Sequence, residues 1–201
     1  MKICLKKTFA LFLSFCLIFS SASMFSIKTQ ALAALTGNNE LDVVASIQEK
    51  SNWCWAACAQ MAGRYISGGG IRSQSAIVEY IKGHTNDVPS TIDETAQAAT
   101  YASFGRETFS YTWSAFTWTR IRNEIDNNRT VLLAAGYYND NNVRTGGHMV
   151  IGIGWTMNTS TDTYYISYID PWDGKEYFCT YNDFCDGFFN GRKYDRTVYY
   201  S

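Results

Sequence analysis

Apolar residues recur along this chain with two different periods, and the change falls near residue 130. From Trp53 to Ile66 the residues Trp53, Ala56, Ala57, Met61 and Tyr65 recur mostly at spacings of three and four, which is the spacing of one helix face. Small residues fill much of the rest, as in a helix buried on several sides, and Ser67-Gly68-Gly69-Gly70 ends it. A second helix is predicted over Gln74 to Lys82, with Ile77, Tyr80 and Ile81 as its stripe and Gly83 just past its end. Thr91 and Glu94 have the spacing of a capping box, so a third helix starts there and runs to about Ser103, before Gly105. Thr108 to Tyr111 reads as extended. Ser114 or Thr117 can cap a fourth helix through Arg120, Ile121 and Ile125 that ends at Asn127-Asn128.

Beyond that point the runs are β-rich. Strands are predicted over Val131 to Tyr138, Met149 to Trp155, Thr163 to Ile169, Lys175 to Thr180 and Arg196 to Tyr200. Polar loops separate them: Asn139 to Gly147, Asn158 to Asp162, Pro171 to Gly174 and Asn182 to Gly191. Leu41, Val43 and Val44 suggest a further short strand near the start. Helices first and strands second is the segregated α+β arrangement.

The first 33 residues belong to neither half. Met1-Lys2 and Lys6-Lys7 precede an apolar run from Phe9 to Phe19, and Ala31-Leu32-Ala33 supplies small residues for a signal peptidase. This is the pattern of a secretory signal peptide, too short and too interrupted for a span of about 20 residues. Cleavage near Ala33 leaves one domain over 34–201, secreted and with no stable membrane association. Residues 34–46 are too few for an inhibitory domain. The signal holds four lysines and no acid, so the remaining chain carries 13 basic and 18 acidic residues, a net −5. That balance lacks the basic footprint of nucleic-acid binding.

Cys54, Cys58, Cys179 and Cys185 remain after cleavage. Export permits disulfides, and Cys179 and Cys185, six positions apart, could close a loop. Their spacing fits zinc ribbons poorly, and no cofactor or metal is called for. Cys54 has a different setting, where a polar loop meets the helix start. Unpaired N–H groups and the positive dipole end favour a thiolate there. A base is needed, and the chain has two histidines. His84 lies in a polar loop and reads as solvated. His148 follows Gly146-Gly147 at the mouth of an apolar strand. If that strand and Tyr164 to Ile169 form a hairpin, positions 148 and 170 meet, because their midpoint of 159 falls in the predicted turn. Asp170 would then orient His148 and stabilise its charged form. Gln48, six residues before Cys54, is placed to donate to a developing oxyanion together with the Cys54 N–H.

Gln48, five residues, Cys54-Trp55, then Gly147-His148 opening an apolar strand, then Asp170-Pro171-Trp172, resembles the papain-like (clan CA) cysteine peptidases. The compact bacterial members are the most similar: staphopains, effector peptidases of plant pathogens and bacteriocin-processing peptidases. The resemblance covers about Gln48 to Ser201. It implies an N-terminal helical half, with a central helix bearing the nucleophile, packed against a C-terminal antiparallel β half-barrel. It implies Cys54 as nucleophile, His148 as base and then acid, Asp170 as orienting group, Gln48 in the oxyanion hole and Trp172 shielding the His–Asp contact. The implied activity is peptide-bond hydrolysis through an acyl-enzyme thioester, by a monomer whose partners would be a polypeptide substrate and a proteinaceous inhibitor. The chain departs from papain in having Ser51-Asn52-Trp53 before the cysteine, Asp170 in place of Asn, and an offset of 94 residues between Cys54 and His148. The same triad would also serve a cell-wall peptide hydrolase or an acyl transferase. The 14 Tyr, 12 Phe and 6 Trp leave room for a non-catalytic secreted binding module.

Overall fold

The computed structural model describes residues 37–186 and 192–201. The predicted signal peptide, and the part of the Asn182 to Gly191 turn from 187 onward, lie outside the described residues.

Four helices of the first half form where their local signals place them. Helix α1 (Cys54–Ser67) ends at Gly68, whose φ of 69° satisfies the left-handed cap. Helix α2 (Gln74–Lys82) is capped by the Ser73 side chain, which accepts from the Ala76 N–H, and is closed by Gly83. Helix α3 (Ile92–Ala102) has a complete capping box between Thr91 and Glu94. Glu94 also pairs with Lys82 at 2.7 Å, joining α2 to α3. Helix α4 (Trp118–Asp126) chooses Thr117 as its cap.

The strands are β1 (Gly37–Glu40), β2 (Phe109–Thr112), β3 (Val131–Tyr138), β4 (Arg144–Asn158), β5 (Thr163–Asp170), β6 (Lys175–Thr180) and β7 (Lys193–Tyr200), with a short helix α5 (Tyr181–Cys185) before β7. They make one antiparallel sheet in the order β2-β7-β3-β4-β5-β6. β1 pairs with the far end of β4, beyond the reach of β3. β4 is the axis of the sheet, and its residues from His148 to Thr156 are all buried.

Several predicted boundaries move, among them that of β7, which begins at Lys193 rather than Arg196. The early strand lies at Gly37–Glu40 rather than at Leu41 to Val44. Leu41 and Val43 are buried, but Leu41 donates only one further bond, to the Ile153 carbonyl, at 2.8 Å. A polar edge strand carries no alternation to reveal it. β4 begins at Arg144, inside a predicted loop. The Arg144 guanidinium covers Gly136 and Gly147, so a cation occupies the space where an apolar signal would normally come from. α5 is a single turn capped by Thr180, too short to have a period.

The core joins the two halves through α1. Nine consecutive residues of this helix, Trp55 to Gly63, are buried, as expected of a helix covered on all sides. The approach of α3 is so close that a Cβ on Gly63 would lie 2.4 Å from the Ala102 carbonyl carbon and oxygen. That atom meets backbone, which cannot rotate away. Gly63→Ala is therefore expected to destabilise the protein by about 2 kcal/mol or more, lowering Tm by about 4–8 °C in a thermal melt.

Candidate active site

Cys54 is the first residue of α1, and no side chain caps that helix end. The first N–H groups of a helix have no partner within the helix, so here they face the site without a capping side chain. The neighbours of Cys54 hold it in place. Trp53 and Trp55 are buried, and their indole N–H groups donate to the carbonyls of Asn86 at 3.0 Å and Val88 at 3.2 Å. The Asn52 N–H donates to Asp87 Oδ1 at 2.7 Å, and Lys50 reaches the Thr85 carbonyl at 2.6 Å. The polar loop between α2 and α3 thus clamps the loop leading to Cys54 from one side. His84 lies in that loop, exposed, with its Nδ1 accepting from the Asn86 N–H.

His148 is brought to Cys54 by β4. The Cys58 thiol, one turn into α1, donates to the Met149 carbonyl at 3.4 Å and fastens the helix to the residue after His148. His148 Nε2 donates to Asp170 Oδ1 at 2.6 Å. With Nε2 engaged, Nδ1 is the nitrogen left for the Cys54 thiol, which lies close enough to raise the pKa of the ring. The β4–β5 hairpin makes this contact, though not by direct opposition. Its register runs from Asn158 opposite Thr163 to Ile151 opposite Ile169, with a bulge between Gly152 and Gly154. Continued one step, the register sets Asp170 beside Val150, diagonal to His148 on the same face. A diagonal pair is within reach of two side chains.

Asp170 is itself oriented by the turn that follows it. Its Oδ1 also accepts the Trp172 backbone N–H at 2.9 Å, and its carbonyl accepts from Gly174 at 2.8 Å. Burial alone would lower the His148 pKa. The hydrogen bond to Asp170, the nearby Cys54 thiol and the charges of both outweigh it and raise the pKa to about 9. His148 therefore holds its second proton through neutral pH. Cys58 stands in contrast. It is fully buried, and burial first, then the nearby Cys54 and Asp170, push its thiol well above the ordinary value.

Gln48 is delivered by the Asp170 turn, since its N–H donates to the Pro171 carbonyl at 2.7 Å. Its side-chain amide donates to the carbonyls of Lys50 at 2.9 Å and Ser51 at 2.8 Å, while its Oε1 is buried with no partner among the described residues. Both amide hydrogens are directed at the loop leading to Cys54. Trp172 lines a shallow pocket with Gln48, Glu49, Lys50 and Ser51. Trp172 is 65 % exposed, and its bond to Asp170 is made through the backbone.

Sequence reasoning overlooked the buried Gln74. Its Nε2 donates to the Ile47 carbonyl at 2.8 Å and its Oε1 accepts the Glu49 N–H at 2.9 Å, pinning both neighbours of Gln48. It also overlooked Arg192, which packs on Tyr137 at 4.3 Å from guanidinium carbon to ring centroid. Burial lowers the Arg192 pKa, and the charge of Cys54 opposes that shift. No local motif marks either residue. Cys185 is a free thiol, so the Cys179–Cys185 bridge that export would permit is not formed.

A helix-borne cysteine beside a strand-borne histidine, in an α+β domain of this topology, defines a papain-like cysteine peptidase. The chain belongs to the papain-like cysteine protease AvrRpt2 family, which it matches over residues 37–187. Among solved structures it is similar to a putative C39-like peptidase from Bacillus anthracis, with a TM-score of 0.57 and 12 % identity, covering 82 % of this chain and 98 % of that one. UfSP from C. elegans is matched with a TM-score of 0.48 and 9 % identity, over 81 % of this chain and 34 % of that one, too distant to carry weight. No curated protein matches the chain.

Proposed function

We propose that the protein is a secreted endopeptidase that hydrolyses polypeptides through Cys54, His148 and Asp170. The observation that carries this reading is the His148 ring, held by Asp170 at 2.6 Å and with the Cys54 thiol close enough to raise its pKa. In such a site the thiolate is the nucleophile. His148 holds the proton that Cys54 gives up, and Asp170 stabilises the imidazolium. The sulfur attacks the peptide carbonyl, His148 protonates the leaving amine, and an acyl thioester remains on Cys54. Water, deprotonated by His148, then releases the acid product. The oxyanion forms at the start of α1, where the uncapped backbone N–H groups support it. Gln48 joins them if its amide turns one hydrogen away from Lys50 or Ser51.

Export rests on the basic start and the apolar run of residues 1–33. It predicts a secreted form beginning near Ala34, read by N-terminal sequencing.

The direct test combines casein digestion with labelling by a thiol-reactive epoxide and mapping of the adduct. The expected adduct is on Cys54, with its formation abolishing casein cleavage. An adduct on Cys58 that abolishes cleavage would sink the assignment. Release of amines from purified cell wall, with no action on casein, would favour the wall-hydrolase reading instead.

A further inference from the structure

The sheet face that carries His148 also carries an arginine with no acid to pair with. Residues directly opposite in an antiparallel ladder project to the same face, and residues two apart on a strand share it. Tyr194, Ala135 and His148 form one such row across β7, β3 and β4. Tyr137 is opposite Gly146 in the next row. Continuing the pairing of Gly136 with Lys193 by one residue sets Arg192 opposite Tyr137. Arg192, Tyr137 and Gly146 therefore lie side by side, one row from His148 on its own face.

The contacts agree with this placement. The Arg192 guanidinium carbon is 4.3 Å from the Tyr137 ring centroid. Arg192 Nε is buried without a hydrogen-bond partner among the described residues. Gly146 places no side chain in the row, and a Cβ built there would meet only Tyr137, at 3.5 Å.

The charge is unbalanced as well. Arg144 and Arg196 share Asp195, Arg122 meets Asp126 and Arg129 meets Glu124, but no ion pair among the described residues includes Arg192. The remaining stretches, 1–36 and 187–191, contain no Asp or Glu. An arginine cannot shed its charge. Its planar fork is suited to a carboxylate bound by two parallel N–H bonds. A carboxylate reaching Nε would also satisfy an N–H that is otherwise left unpaired.

We propose that Arg192 is a specificity-determining residue of the cleft, binding an acidic side chain of the polypeptide substrate close to the scissile bond. The proposal rests on the endopeptidase reading above. Tyr137 fixes the guanidinium plane, and the open position at Gly146 admits the substrate side chain.

The test uses the full chain and peptides built around a mapped casein cleavage site, with Glu or Gln at each position flanking the cut. At one position Glu should raise kcat/KM about tenfold over Gln, and added salt should shrink that ratio. Arg192→Glu should reverse the order and favour Lys. Equal rates for Glu and Gln at every position overturn the proposal, and that comparison needs only the wild-type protein. A second measurement is independent of hydrolysis: the rate of Cys54 alkylation by iodoacetate relative to iodoacetamide. Arg192→Glu should lower this ratio about tenfold, and an unchanged ratio overturns the proposal. A lowered ratio in a protein that cleaves no peptide supports the anion-binding role of Arg192 and removes the peptidase reading.

Discussion

Cys54→Ala is expected to reduce hydrolysis of an unfolded protein by at least about 10³-fold, with His148→Ala causing a loss of the same order. The reason lies in how the two groups depend on one another. In the proposed mechanism Cys54 supplies the sulfur at the open helix end, and His148 carries the proton that the sulfur loses and the leaving amine gains. Removing either leaves the other without a task. The double variant Cys54→Ala/His148→Ala should therefore be little worse than either single one. Rates for the three variants, measured on one fluorogenic peptide, decide this. Losses that multiply in the double variant would mean that the residues act independently. Cys58→Ala provides the contrast. Cys58 is fully buried and bonded to the Met149 carbonyl, so its loss should lower the melting temperature while Cys54 still reacts with the epoxide.

Asp170→Ala should produce the next largest effect, a fall in kcat/KM on the order of 10²–10⁴-fold, and it should also change the pH profile. His148 has its pKa raised to about 9. The wild-type rate should then hold through neutral pH and fall as pH passes about 9 and the imidazolium is lost. Without Asp170, burial still works against the charged ring, and only Cys54 remains to favour it. The alkaline limb should move down by ~1 unit or more. Asp170→Asn keeps an acceptor for Nε2 and removes the charge, so its limb should move less and its rate should fall less. An alkaline limb that stays near 9 in Asp170→Ala would show that the carboxylate does not control His148. The same linkage acts on stability. The folded pKa lies above the ordinary histidine value, so the contribution of His148 is fully present below about pH 6.5. It is lost as pH rises through about 9. A melting series from pH 6 to 10 should show this loss in the wild type, and a smaller loss beginning at lower pH in Asp170→Ala.

The helices were legible because their signals are local. Thr91 and Glu94 lie within one turn of each other, and Gly68 and Gly83 take up left-handed conformations next to the helices they end. The His148–Asp170 hairpin was legible because strand length and turn chemistry set its centre. The bulge between Gly152 and Gly154 shifted the register by one residue, which the pattern of apolar residues does not record. The early strand was misplaced because β1 is polar and gains its order from β4. Arg144 hid the start of β4 by covering glycines with a cation. Gln74 and Arg192 were overlooked for a common reason. Each matters through partners far along the chain, and nothing beside it in sequence marks it.

What the sequence alone determined is the order of parts: a thiol at the start of a buried helix, a histidine at the mouth of a strand, an aspartate at the end of the next, and the α+β class that follows from helices preceding strands. These depend on side-chain type and short-range spacing, which a linear chain records. The tertiary structure alone decided how the parts face one another. It bonded His148 to Asp170 and brought Cys54 near the same ring, turned the Gln48 amide hydrogens toward Lys50 and Ser51, buried Cys58, and set an unpaired Arg192 one row from the histidine. Each of these depends on strand register, burial and the presence or absence of a distant partner. Those quantities come into being only when the sheet closes against α1.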